Sequence, residues 1–448
     1  MSADTTTPVE TGPSPVQPGA GSIREAIKEY TDKVRGGDIG SLPAVLGLIT
    51  LLLVFGIAQP TNFANAGNFA NLLTQATGTI VIAMGLVFVL LLGEIDLSAG
   101  YNAGTSAAVL AIMLTNHNWP WPFAVLACLA TGSIIGLTIG LLVALLKIPS
   151  FVVTLAFFLG LQGVLLLVIG DAGTIVIHDT TIQAVTSRQM TVPASWTFYV
   201  VVVAAYALST FATIRGRRKR GLPSPATSVW ASKVIAMVIV LGVPTYFLCQ
   251  DRGANGVVIK GTPYVVPLVL VLLVVLTFLL QRTALGRHIY AVGGNAEAAR
   301  RAGINVKGVR IFCFVLGGGM AAFAGIILAS RTFSVSPLTG GSTTLLYAVG
   351  AAVIGGTSLF GGRGKVKDAV LGGLVIATID NGISYITQQA GIVFVVTALV
   401  LLLAASVDAL SRRRAVATGR AERSVAGAGA GAMTGAMTGA TTGALAGG

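Results

Sequence analysis

Residues 283–306 read TALGRHIYAVGGNAEAARRAGINV, and this stretch decides how the rest of the chain is read. It is polar and glycine-punctuated, with helix-forming residues around Asn295 to Ala302, yet it lies between two long apolar runs. Counting the flanking residue, it carries Arg282, Arg287, Arg300 and Arg301 against a single acid, Glu297. Basic loops between membrane spans are retained on the cytoplasmic side. The stretch is therefore predicted to be a cytoplasmic knob on a membrane-embedded chain, where a soluble partner can push on it.

Composition supports that setting. Of 448 residues, 54% are hydrophobic and only 10% are charged, and mean hydropathy is +0.84. A soluble domain carries about 25% charged residues, so this chain cannot clothe itself in a hydrated surface. The fold class predicted is an all-α polytopic membrane protein. The formal charge of +13 raises nucleic acid as a partner, but the basic residues cluster in short loops between apolar runs, which orientation in a bilayer explains better. Cys128, Cys249 and Cys313 are far apart in sequence, and His117, His178 and His288 stand away from them. No disulfide framework, metal-ligand spacing or Ser/His/Asp arrangement can be built, so neither a cofactor nor a catalytic site is predicted.

A span needs about 20 apolar residues. Twelve segments qualify or come close: Pro43 to Gln59, Thr77 to Gly93, Ala99 to Thr115, Trp121 to Leu146, Ser150 to Gly170, Trp196 to Ile214, Val229 to Cys249, Tyr264 to Leu280, Val309 to Ser330, Thr343 to Gly356, Ala369 to Tyr385 and Gly391 to Asp408. Several are short or broken by glycine, which leaves ten or eleven as alternatives. Basic blocks RGRRKR (215–220), the central loop, GGRGKVK (361–367) and SRRR (411–414) fall on the predicted inner side, with both termini. The stretches 62–73, 116–121, 171–195 and 251–261 fall outside. Residues 1–42 are read as a cytoplasmic tail, containing the mixed-charge stretch IREAIKEYTDKVR, and 43–409 as the transmembrane domain, with 282–308 as its inner loop. Residues 410–448 are read as a disordered Gly/Ala-rich tail.

Four motifs invite mechanism. Gly132, Gly136 and Gly140 lie at spacing four on one helix face, which permits backbone-level approach of another helix, as a moving seam or as ordinary packing. In GEIDLSAG (93–100), Glu94, Asp96 and Ser98 either line a path or cap the following helix. In IDNGISY, Asp380 and Asn381 sit inside an apolar run, either lining a pathway or bonding a neighbouring helix. VIGGTSLFGGRGKV (353–366) fails as a phosphate-binding loop, because Leu359 stands where a glycine is required and Val366 follows Lys365; it reads as tight turns at the inner membrane edge.

GEIDLSAG, KIPSFVVTLA (147–156), residues 283–306 and AAVIGGTSLFGGRGKV (351–366) together resemble the permease subunits of bacterial ABC sugar importers for ribose, galactose, arabinose and xylose, most closely the xylose type. The similarity runs over most of Asn68 to Arg412. It implies an all-helical fold paired as a dimer around one path, with a second copy of the chain expected and a sister permease the alternative, sugar delivered by an extracytoplasmic binding protein, and two cytoplasmic ATPase copies supplying the drive. It also implies that 286–305 forms a coupling helix seated in the ATPase, with Gly293, Gly294, Asn295, Ala298, Ala299, Gly303 and Ile304 matching the motif; Gly286, Arg287, Glu297, Arg300 and Arg301 complete the predicted contact. The setting expected is a bacterial inner membrane, with lipid around the spans. Asp380, the heavy 215–220 insert and the C-terminal tail depart from the family pattern. Two other readings remain open: a proton-coupled transporter using Asp380 and Glu94, and an ABC permease for a nucleoside or related furanose.

Overall fold

The computed structural model describes residues 41–399 apart from 171–172, 223, 225, 254–256, 388 and 390, together with 402 and 406. The predicted tails at 1–40 and 410–448 lie outside the described residues, as do SRRR at 411–414 and most of the last predicted span beyond its helical part at 391–399.

The chain is helical as expected. In order come α1 (Leu42–Ala58), α2 (Ala66–Leu91), α3 (Ala99–Ala111, continued by a π-turn over Ile112–Asn116), α4 (Trp121–Leu145) and α5 (Ser150–Ile169). Then follow α6 (Thr180–Ser187), α7 (Val192–Lys219), α8 (Thr227–Cys249) and α9 (Val265–Arg282). Last are α10 (Ala284–Gly294), α11 (Ala296–Arg301), α12 (Val306–Thr332), α13 (Ser342–Gly355) and α14 (Val366–Ser384). The two-residue strands β1 (Ile175–Val176) and β2 (Ser334–Val335) pair antiparallel and tie the segment before α6 to the one after α12. Among the described residues, α2, α4, α5, α7, α8, α9 and α12 are long and apolar enough to cross a bilayer.

Two predicted spans need correction. Ala99 to Thr115 and Thr343 to Gly356 are occupied by α3 and α13, which have 13 and 14 residues. At about 1.5 Å per residue α13 is roughly 20 Å long, and α3 with its five-residue π-turn roughly 25 Å, both short of a hydrocarbon core of about 30 Å. The chain leads into each through non-helical backbone, at 92–98 before α3 and at 336–341 before α13. The two helix starts meet: a methyl group on Gly100 would lie 2.5 Å from the Gly340 carbonyl oxygen and 2.8 Å from that of Gly341. Non-helical backbone at membrane depth is tolerated only where protein or a water-filled cavity surrounds it.

The core is built on α12. Leu328 meets Gly78, Met320 and Gly317 meet Gly85, so α12 runs antiparallel to α2. On its other side α12 packs on α4: Gly132 and Gly136 press against the backbone at Gly318 and Phe314, and Gly140 against Ile311. Of the two readings of that glycine row, close helix packing is the one observed. Long–short–long triads α2–α3–α4 and α12–α13–α14 thus interlock with opposite directions, the arrangement of an inverted repeat. By contrast, α7 and α8 form a peripheral hairpin, with 0% and 6% of their apolar windows buried.

Gly136→Ala is expected to destabilise the chain by about 1–3 kcal/mol, because the added methyl overlaps the Phe314 carbonyl. Gly160→Ala on α5 has open space around it and should be neutral or stabilising by about 0.5–1 kcal/mol. Thermal unfolding of the two variants in one detergent, compared with wild type, measures the difference.

Candidate functional site

The predicted knob is an arm of two helices. Thr283 Oγ1 accepts from the Gly286 N–H at 3.2 Å and starts α10. Asn295, in extended conformation, ends α10 and starts α11, its Oδ1 accepting from the Ala298 N–H at 2.9 Å. The expected short helix around 295–302 is therefore α11, and the helix implied over 286–305 is divided at Asn295 between α10 and α11. α11 is closed by a glycine cap: Gly303 adopts φ +83°, its N–H donates to Arg300 O at 3.0 Å, and the Ile304 N–H donates to Ala299 O at 3.0 Å. That pattern satisfies the last helical carbonyls and needs a residue free to enter the left-handed region. Asn305 Oδ1 then accepts from Gly308 N and begins α12.

The arm presents one polar face. Asn295, Glu297, Ala298, Arg300 and Arg301 are exposed, whereas Ala299 is buried and Ile304 half-buried against the bundle. Glu297 accepts from Arg300 at 2.8 Å and from Arg301 at 3.3 Å; the Arg300 hydrogen bond holds its carboxyl below the usual carboxylate range. Such exposed pairs contribute little stability, but they fix the side chains a partner would meet. Arg287 is also exposed, donating to Thr283 O at 3.3 Å.

Beneath the arm lies a junction that sequence reasoning missed. The Gly362 N–H donates to the Leu91 carbonyl at 2.9 Å, and Gly293 is wedged so tightly that a methyl group there would overlap the Leu91 oxygen and approach Gly362 N to 2.9 Å. Tyr290 Oη donates to the Gly364 carbonyl at 2.7 Å, and burial pushes its phenol up, keeping it a donor. Three remote segments thus meet through backbone: the end of α2, the end of α10 and the loop at 356–365. Gly294, next in sequence, has nothing within 4 Å of an added methyl. A second link is ionic: Arg310 Nε, in the first turns of α12, lies 3.1 Å from Glu94 Oε1. No local signal in the sequence marks these pairings, since each depends on segments more than 70 residues apart or on the shape of a turn.

Asp96, Asp380 and Asn381 are each engaged within the protein. Asp96, 3% exposed, accepts from the Ser98 N–H at 2.8 Å and from its hydroxyl at 2.6 Å at the start of α3. Asn381 and Asn68 exchange two amide hydrogen bonds, at 2.8 and 2.9 Å, joining α14 to α2. Asp380 accepts from Gln75 on α2 and from Tyr347 on α13. Glu94 lies at the inner end, away from Asp380 and Asn381, so the five candidate pathway residues do not form one cluster. At the end of the bundle away from the arm, a recess of about 410 Å³ is lined by Asn71, Thr74, Thr186, Gln189, Arg252 and Arg331, among others.

The family described as branched-chain amino acid transport system / permease component matches residues 68–405. The chain is 38% identical over 376 residues to the xylose transport system permease protein of Escherichia coli (strain K12), covering 83% of this chain and 92% of that protein. It is 34% identical over 381 residues to the xylose transport system permease protein of Haemophilus influenzae (83% and 96% covered). It is 30% identical over 363 residues to the ribose import permease protein of the same organism (81% and 91% covered). No solved structure matches the chain.

Gly293→Ala is expected to loosen the arm and Gly294→Ala to leave it in place. Hydrogen exchange on the purified chain reads this directly: amides of 284–301 should exchange faster in the first variant only, with those of α12 unchanged in both.

Proposed function

The chain belongs to the family of branched-chain amino acid transport system permease components, and on that premise we propose that it is the membrane permease of an ABC importer for a pentose, with xylose the first solute to test. The family name alone does not specify a sugar; the substrate rests on the xylose and ribose permeases to which most of this chain is similar. ATP would be hydrolysed on separate cytoplasmic subunits, sugar would arrive on an extracytoplasmic binding protein, and a second copy of this chain would complete the path. The setting proposed is a bacterial inner membrane, with both termini inside.

The single observation that carries the mechanism is the arm: a capped, solvent-facing helix whose root is pinned by backbone to α2 and to the 356–365 loop. In this reading Arg287, Asn295, Glu297, Ala298, Arg300 and Arg301 contact the ATPase. Gly286, Gly293, Gly294, Ala299, Gly303 and Ile304 shape the lever. Closure of the ATPase dimer displaces α11, and displacement passes along α12 through Arg310–Glu94 to the start of α3. It passes also through Gly362 to the loop joining α13 and α14. Both half-length helices, which meet at Gly100 and Gly340, are thereby driven from the same side. Large changes of access follow from rigid elements moved about such links rather than from local unfolding.

The proton-coupled reading has weaker support. Asp380 is tied to Gln75 and Tyr347 on two other helices, which gives it a packing role between them, and the relatives are importer permeases.

In vesicles holding the assembled transporter, Arg300→Glu with Arg301→Glu is expected to cut ATP-driven xylose uptake at least tenfold, about 1.4 kcal/mol or more in the coupling step. Asp380→Asn should retain most of it. Loss with Asp380→Asn alone, and uptake by the double variant, would reverse the assignment.

A further inference from the structure

The peripheral hairpin ends in a feature that neither the family nor the arm explains. Arg215, Arg217, Arg218, Lys219 and Arg220 place five positive charges in six residues at the end of α7, and Lys233 follows on α8. All six are exposed, and among the described residues none is in an ion pair. Arg218 is held instead by neutral hydroxyls, donating to Ser224 Oγ at 3.2 Å and Thr227 Oγ1 at 3.1 Å. The turn is stiffened nearby, where the Trp230 indole N–H donates to Thr210 Oγ1 at 3.0 Å and its ring lies 5.4 Å from that of Phe211.

Geometry fixes what surrounds this tip. The start of α7 and the end of α8 are joined at the outer end, where Thr262 N donates to Ser195 Oγ at 2.9 Å and Gly261 N to Leu248 O at 2.8 Å. From Val192 to Arg215 the helix rises about 35 Å, so its guanidinium groups emerge just beyond a hydrocarbon core of about 30 Å. The apolar lengths of both helices are almost wholly unburied, and their chief packing partners are each other and α2. Lipid therefore surrounds the tip at headgroup level.

We propose that the inner end of the α7–α8 hairpin binds the phosphate groups of anionic phospholipids in the cytoplasmic leaflet. Either basic residue type is drawn to anionic headgroups by its charge, at about 1 kcal/mol per residue near the surface, and among the described residues the site has charge of one sign with no carboxylate paired to it. An acidic protein is the other conceivable occupant, but the tip is set on lipid-facing helices rather than on the arm.

The test uses the full chain in nanodiscs of equal phosphatidylglycerol and phosphatidylcholine, transferred gently to native mass spectrometry. Wild type should retain phosphatidylglycerol over phosphatidylcholine. The set Arg215→Gln, Arg217→Gln, Lys219→Gln and Arg220→Gln should lower that retention at least about tenfold, given roughly fivefold per basic residue at a membrane surface. Arg215→Lys, Arg217→Lys and Arg220→Lys together should keep it, which separates loss of charge from loss of fold. Equal retention of the two lipids by wild type, unchanged retention in the glutamine set, or loss in both sets would overturn the proposal. So would loss of ATPase co-purification in the glutamine set with lipid retention intact.

Discussion

The hydrogen bond from the Gly362 N–H to the Leu91 carbonyl, with Gly293 pressed against both partners, is the contact on which the inner half of the molecule depends. The last carbonyls of a helix have no partner within it, and at the end of α2 one of them is supplied by another loop rather than by water. Because the contact is backbone to backbone, it leaves no side chain that can swing away. A push on α11 must then move the end of α2 and the 356–365 loop with it, or break the junction. Glycine is demanded at 293 by the absence of room, and at 362 by φ +73°.

The same use of close approach governs the bilayer. Between helices in lipid there is little hydrophobic drive, so packing and hydrogen bonding decide association. Here Gly132, Gly136 and Gly318 bring α4 and α12 to backbone contact, while Asn68 and Asn381 close an amide pair between α2 and α14. Asp96, Asp380 and Asn381, polar groups conspicuous in the sequence, each hydrogen-bond within this bundle. The non-helical segments leading into α3 and α13 bring Gly100 against the carbonyls of Gly340 and Gly341 inside the protein.

Much of this was legible in the sequence, and the limits have physical causes. Apolar runs bounded by glycine, proline and basic clusters marked eleven helices to within a few residues at most ends. α2 begins at Ala66 rather than Thr77 because Asn68 is buried and paired with Asn381 and Asn71 accepts from Arg331, and hydropathy cannot tell such partnered polar residues from water-facing ones. The short α3 and α13 were read as spans because composition does not report where in the membrane a helix starts. The arm was recognisable from GGNAEAARRAGIN, as a short helix around Asn295 to Ala302 with glycine on both sides. Its clasp was not, since Leu91, Gly293 and Gly362 pair through backbone atoms that every residue carries. Glu94 was conspicuous as an acid at a membrane edge, but its partner Arg310 lies on a helix more than 200 residues later.

The central claim is that the arm and its clasp move as one body. Spin labels at Ala298 on α11 and at Phe360 in the 356–365 loop, measured by pulsed electron resonance in the transporter assembled with its ATPase, test it most directly. The distance distribution should be the same with and without ATP, while that from Ala298 to a label at Val240 on the peripheral hairpin shifts. A shift between Ala298 and Phe360 on ATP binding would show the arm swinging free of its root, and the account would fail.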